Sequence, residues 1–294
     1  MKGSIYITIF CSVLFVSGCL HFSKMEMTSG RNANVCKKLT GEALLYVIYV
    51  NTRAGGNWGE FDMINRQDAL GKAIDWIHDN AMDNDIDLQI RSAYCNDTSF
   101  PIKKDFHKRS LTDFLRTVPQ EDVVSKLNRW SNYIAKQIGV KNKISGIKNL
   151  ESLVTHLRNQ NHVDNLGVIF MTNNYYKSES SIAINTNSNS LVEFAIIGNN
   201  DPVSIAHELL HLFGSVDFYR YPYGKQYWEN KDIEFLKSEF PTSIMHLPSD
   251  KDPKNFTIDP FTKYCIGWTD SLETKYDGLN KGKTKMTQKI FKDH

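Results

Sequence analysis

Asp201-Pro202-Val203-Ser204-Ile205-Ala206-His207-Glu208-Leu209-Leu210-His211-Leu212-Phe213-Gly214-Ser215-Val216-Asp217 decides how this chain is read. An aspartate caps a helix N-terminus well, and Pro202 suits the first helical position, where no N–H is needed. On the helix that opens there, positions i and i+4 share one face, so the imidazoles of His207 and His211 can reach one metal. Glu208 lies on the adjacent part of the surface, placed to take a proton from the water that such a metal activates. Gly214 sits where the helix has to stop, and glycine accepts the left-handed backbone of a sharp stop. The turn swings Asp217 back toward the metal as third ligand and leaves a fourth position open for water. The alternative for Asp217 is a place behind the ligands or in a solvated loop. Ala206, Leu209 and Leu210 make the rest of the helix apolar, and charged groups on a buried helix need a compensating purpose.

Upstream of this stretch, Leu44-Leu45-Tyr46-Val47-Ile48-Tyr49-Val50 is a continuous apolar run within 43–51. It reads as a strand covered on both faces. Ala69, Leu70, Ala73, Ile74 and Ile77 have helical spacing over 66–80, and Ile86, Leu88 and Ile90 alternate as a strand does. An insert at about 97–165 follows. Thr117 there reads as a helix cap with Gln120 three residues on. Val123, Leu127, Trp130, Ile134 and Ile138 mark one helical face, and Leu150, Leu153, Val154 and Leu157 mark another. Leu166 to Met171 is a buried strand, Ser181 to Asn185 a short edge strand, and Leu191 to Ile197 a further strand that leads into Asp201. Strands alternating with helices in this order predict an α/β fold.

Downstream, Ser243-Ile244-Met245-His246 completes a pattern with His207, Glu208, His211, Gly214 and Asp217 that resembles the metzincin clan of zinc peptidases. The clan's usual third ligand is His. Asp217 in that place resembles the snapalysin-type branch. The resemblance spans about 41–268, with 207–217 and the Met-turn as its specific parts. It implies a twisted, mostly parallel sheet with an antiparallel edge strand, an active-site helix and a C-terminal subdomain built on the Met-turn. It implies one catalytic Zn2+ held by His207, His211 and Asp217, with Glu208 as general base and Met245 as a hydrophobic floor beneath the metal. Residues 181–185 would pair with an extended peptide or protein substrate. The position two after Met245, where astacin-like members carry a metal-binding Tyr, is Leu247. Tyr219, Tyr221 and Tyr223 lie near the motif, with packing the simpler role for each. Asp259 to Trp268 reads as a closing helix, and His246 as structural.

At the N-terminus Lys2 precedes an apolar stretch, Ile5 to Val16, too short for a span of about 20 residues. It reads as a signal peptide over 1–18. Val16-Ser17-Gly18-Cys19 resembles the lipobox of bacterial lipoproteins, with Cys19 as the lipidated residue. The expectation is an exported cell-envelope lipoprotein held to a membrane by its N-terminal lipid, or else a secreted protein. Residues 19–40 read as a polar tether, 41–270 as the peptidase domain and 271–294 as a polar tail.

A net charge of +2 argues against nucleic acid as a partner. Cys36, Cys95 and Cys265 match no zinc-thiolate spacing and leave room for one disulfide. Cys36 as a latency switch on the metal is the alternative to a structural thiol. Two other functions fit the same residues: an inactive surface binding protein on a metalloprotease-like scaffold, and a metal-dependent hydrolase of non-peptide amides or esters. The intact Glu208 argues against the first, and an edge strand suited to extended chains against the second.

Overall fold

The apolar run becomes β1 (Gly41–Asn51), in which Ala43 to Val50 are all buried. The computed structural model describes residues 36, 38–95, 101–107, 110–140, 147–163, 165–173, 180–184, 192–219, 228–246 and 252–279. After β1 come α1 (Glu60–Met82), β2 (Leu88–Tyr94), a two-residue β3 (Ile102–Lys103), α2 (Leu111–Thr117), α3 (Gln120–Ile138) and α4 (Asn149–Asn161). Then follow β4 (Asn165–Thr172), β5 (Ile182–Ile184), β6 (Phe194–Ile197), α5 (Pro202–Leu212), α6 (Asn230–Glu239) and α7 (Pro260–Cys265).

The sheet order is β2-β1-β4-β6-β5, with β3 alongside the end of β1. Every pairing is parallel except that of β5 with β6, which is antiparallel. The α/β class and the antiparallel edge strand therefore match the sequence reading.

Strand alternation sends side chains to two covered faces. On one face Tyr49 packs edge-on against Trp58 and reaches the Met63 carbonyl of α1. Leu45 and Leu212 of α5 meet over Gly167 of β4 on that same face, where a Cβ would come within 2.9 Å of Leu45. On the other face Phe170 packs edge-on against Trp130 of α3, which in turn stacks on Phe106. The helices of the 97–165 insert are thus the second covering layer of the sheet.

Several boundaries differ from the sequence reading. α1 opens at Glu60, six residues ahead of the expected start, because Asp62 accepts the Gly59 N–H and caps the first turn. Thr117 is not a cap. It ends α2, its hydroxyl donating to the Asp113 carbonyl at 2.7 Å, and Pro119 precedes α3. α2 and β3 are short elements that periodicity does not reveal. β6 is shorter than expected and begins at Phe194.

The ends of the described chain pack onto the domain. The Leu39 N–H donates to the Ile266 carbonyl at 2.8 Å, and the Trp268 indole donates to the Leu39 carbonyl at 2.7 Å. Lys38 pairs with Asp270 at 3.1 Å. Cys36 is buried with its thiol on the Leu166 carbonyl, the setting of a structural thiol and not of a latency switch. Cys36, Cys95 and Cys265 are all free thiols. Tyr276 and Leu279, within the stretch read as a tail, are buried, and the Tyr276 hydroxyl reaches Glu239 at 2.8 Å. The signal segment and Cys19 lie outside the described residues. Among the described residues no helix is long and apolar enough to cross a membrane.

Candidate metal centre

The helix α5 begins as the sequence predicts. The Asp201 carboxylate accepts the Val203 N–H at 3.2 Å and the Ser204 hydroxyl at 2.8 Å, with Pro202 in the first turn. Val203, Ile205, Ala206, Leu209, Leu210 and Leu212 are buried, which fixes the helix against the sheet and α1. This burial carries His207 and Glu208 inside with their apolar neighbours.

The helix ends in a Schellman turn. The Ser215 N–H returns to the Leu210 carbonyl at 3.2 Å and the Gly214 N–H to His211 at 3.0 Å. Gly214 has φ +105°, a conformation that a side chain would oppose. The reversed chain brings Asp217 Oδ1 to 3.0 Å from His207 Nε2 and 3.1 Å from His211 Nε2. The two Nε2 atoms are 2.9 Å apart. Among the described residues, these three form the one group of His, Cys, Asp or Glu able to hold a metal.

The remaining ring nitrogens fix the chemistry of the site. His207 Nδ1 lies 2.9 Å from the Ile244 carbonyl, and His211 Nδ1 lies 2.9 Å from the Ser215 carbonyl. A carbonyl only accepts, so both Nδ1 atoms carry the proton and both Nε2 lone pairs face the centre. Two lone pairs and a carboxylate oxygen in mutual contact repel one another unless a cation or proton lies among them. Tetrahedral zinc with donors at its usual bond lengths spaces them about 3.3 Å apart, close to what is found here. The donor set fits a zinc-like ion.

The electrostatics agree. Burial pushes the Asp217 carboxyl up, but His211 and His207 outweigh it and hold the group well below its ordinary range. Burial pushes His211 down, and the charge and hydrogen bond of Asp217 outweigh it, so the imidazole rises. Glu208 is pushed up to about 8, by burial first and by Asp217 as well, while His207 and the N–H of Ala183 on β5 pull it back. The carboxyl thus sits beside the triad, in touch with the edge strand and outside the ligand group.

The segment Ser243 to His246 supports the triad through its backbone. Ile244 takes the His207 N–H, and the Met245 carbonyl takes the N–H of Phe218, the residue after Asp217, at 2.9 Å. Met245 is fully buried. His246 contacts the Phe240 carbonyl at 2.8 Å, in keeping with a structural role. Tyr219 stacks on His207 with ring centroids 6.3 Å apart, while Tyr221, Tyr223 and Leu247 lie outside the described residues. The contacts that sequence reasoning missed are made by backbone groups: the carbonyls of Ser215 and Ile244, the N–H of Ala183, and the Asp217 carbonyl, which accepts the Trp228 indole N–H. No residue type signals them.

No family model matches the chain, and no curated protein matches it. Among solved structures it is similar to the crystal structure of metalloproteinase-II from Bacteroides fragilis, at 14% identity and a TM-score of 0.35. The similarity covers 82% of this chain and 60% of that one, so the chain spans less than two thirds of the protein it matches.

Proposed function

We propose that this chain is a zinc-dependent metalloendopeptidase of the metzincin type with a snapalysin-like third ligand. One observation carries the reading. Backbone carbonyls fix His207 and His211 in the tautomer whose Nε2 lone pairs converge with Asp217, beside the buried carboxyl of Glu208.

Zinc in such a site supplies Lewis acidity toward a carbonyl oxygen and brings the ionisation of water near neutral pH. His207, His211 and Asp217 hold it. Glu208, as the carboxylate, accepts a proton from the attacking water and returns it to the leaving amide nitrogen. β5 pairs with β6 on one side only among the described residues. An extended peptide adds to its free side as a further strand. Met245 closes the floor of the centre. Residues 1–18 direct export, and Cys19 carries the lipid that anchors the protein to a membrane of the cell envelope.

Cleavage of casein and of a peptide library by the purified protein tests this reading. Activity should vanish with a chelator, return with zinc and be lost in Glu208→Gln. Turnover of simple esters without turnover of peptides would replace the peptidase by a different hydrolase. Full biological effect in Glu208→Gln would replace it by a binding protein.

A further inference from the structure

Asp259 is a buried carboxylate, 3% exposed, at the start of α7. As the N-cap of α7 it accepts the Thr262 N–H at 2.9 Å and the Thr262 hydroxyl at 2.6 Å. A cap needs no more than that. Asp259 also accepts the Ser243 hydroxyl at 2.6 Å, and this bond reaches beyond the helix.

Ser243 has spent its proton on Asp259, so its oxygen is an acceptor, and the Met245 N–H donates to it at 3.1 Å. That N–H belongs to the same peptide bond as the Ile244 carbonyl. The Ile244 carbonyl accepts the His207 Nδ1–H at 2.9 Å. A continuous chain thus runs from the Asp259 carboxylate through a hydroxyl and one peptide group to the imidazole. Its links, Asp259, Ser243, Ile244, Met245 and His207, are all nearly or fully buried. Every donor in it points toward Asp259. Each bond therefore polarises the next in the same sense and adds electron density at His207 Nε2.

Metal-binding histidines commonly donate their second N–H to a carboxylate, which orients the ring and raises its basicity. We propose that Asp259 is a positioning residue of the metal centre. It acts on His207 through Ser243 and the Ile244–Met245 peptide, as a carboxylate–histidine pair with two groups interposed. The inference rests on reading the triad as a metal site. Asp259 is not among the donors at the metal position, and its effect is on how firmly and in which tautomer His207 is held.

The test is zinc affinity, measured by competition with a chromophoric chelator on the full folded chain. The set comprises the natural protein, Ser243→Ala, Asp259→Asn and Thr262→Val, each with a thermal melt. Ser243→Ala interrupts the chain, and zinc binding should weaken about 10–100-fold. Asp259→Asn keeps the size and the acceptor oxygen but removes the charge, and a loss of about tenfold is expected. It carries the test by itself if Ser243→Ala does not fold. Thr262→Val removes only the branch that serves the helix cap, so its melting temperature should fall while its zinc affinity stays. The His207 Nδ1–H resonance of the zinc-loaded protein should move upfield in the first two variants and not in the third. Folded Ser243→Ala and Asp259→Asn with zinc affinity within about twofold of the natural protein would overturn the inference. So would an equal loss of affinity in Thr262→Val. A natural protein that takes up no zinc would overturn the metal-site reading itself, and this inference with it.

Discussion

The indole N–H of Trp228 donates to the backbone carbonyl of Asp217 at 2.8 Å, eleven residues away along the chain. The third member of the triad is therefore held by its main chain as well as by the histidines. The Trp228 ring also packs edge-on near Phe261, so Trp228→Phe keeps much of the packing and loses the bond. The expected cost is about 1 kcal/mol of stability and a several-fold weaker zinc affinity. A denaturant melt and a chelator competition measure the two effects separately.

Glu208→Gln should leave zinc content unchanged, because the carboxyl lies outside the ligand group. Peptidase turnover should fall about 10²–10⁴-fold, the range for loss of a general base. Folding at neutral pH should become more favourable in the metal-free protein. A carboxyl held near 8 costs stability once the pH exceeds its ordinary value of 4.5, and a neutral amide does not. The gain should be on the order of a few kcal/mol, read from chelator-treated samples at pH 7. A variant that melts below the natural protein there would contradict the burial of this group.

Metal removal should change how stability depends on pH. Folding favours the protonated form of His211, so its contribution is complete below its ordinary value of 6.5 and is lost as the pH rises through the raised value. Asp217 contributes above its ordinary value of 3.8, and that contribution is lost as the pH falls through the lowered value. Glu208 adds to the loss on the alkaline side. The melting temperature of the chelator-treated protein should therefore peak in mildly acid solution and decline toward pH 8. Zinc competes with protons for the same nitrogens, so the loaded protein should gain stability over that interval. Melts across pH 4–8 with and without zinc give the comparison.

Gly214→Ala should cost about 1–2 kcal/mol, since a residue with a Cβ is forced into the left-handed region at φ +105°. The same strain shifts Ser215, whose carbonyl orients His211, and Asp217 beyond it. Zinc affinity should fall more than stability alone would suggest, and isothermal titration against a folded sample shows whether it does.

The parts of this fold that rest on side-chain pattern were legible in the sequence. β1 is an unbroken apolar run, and α5 is bounded by Asp201 and Gly214, each with a conformational reason to stand there. The triad followed from helical spacing plus that glycine stop. The short elements were not legible. β3 has two residues and α2 seven, too few for a period to register. Thr117 was misplaced because a threonine caps one helix and back-bonds within another with equal ease, and only the neighbouring Ser110 settles which. The supports of the metal centre are peptide groups brought together across 37 residues of sequence, as with Ile244 and His207, and peptide groups are identical everywhere in a chain.

The docking of Leu39 on Ile266 and Trp268 decides how the molecule bears mechanical load. A pull on the chain ahead of Cys36 loads the Cys36 contact on the Leu166 carbonyl, the Lys38–Asp270 pair and these two bonds before it reaches the backbone bonds of β1. Beyond them it meets β1, which is hydrogen-bonded to β2 and β4 along both edges, so that many bonds must shear at once. Traction from that end peels the strap from the closing segment first and leaves the sheet behind it intact.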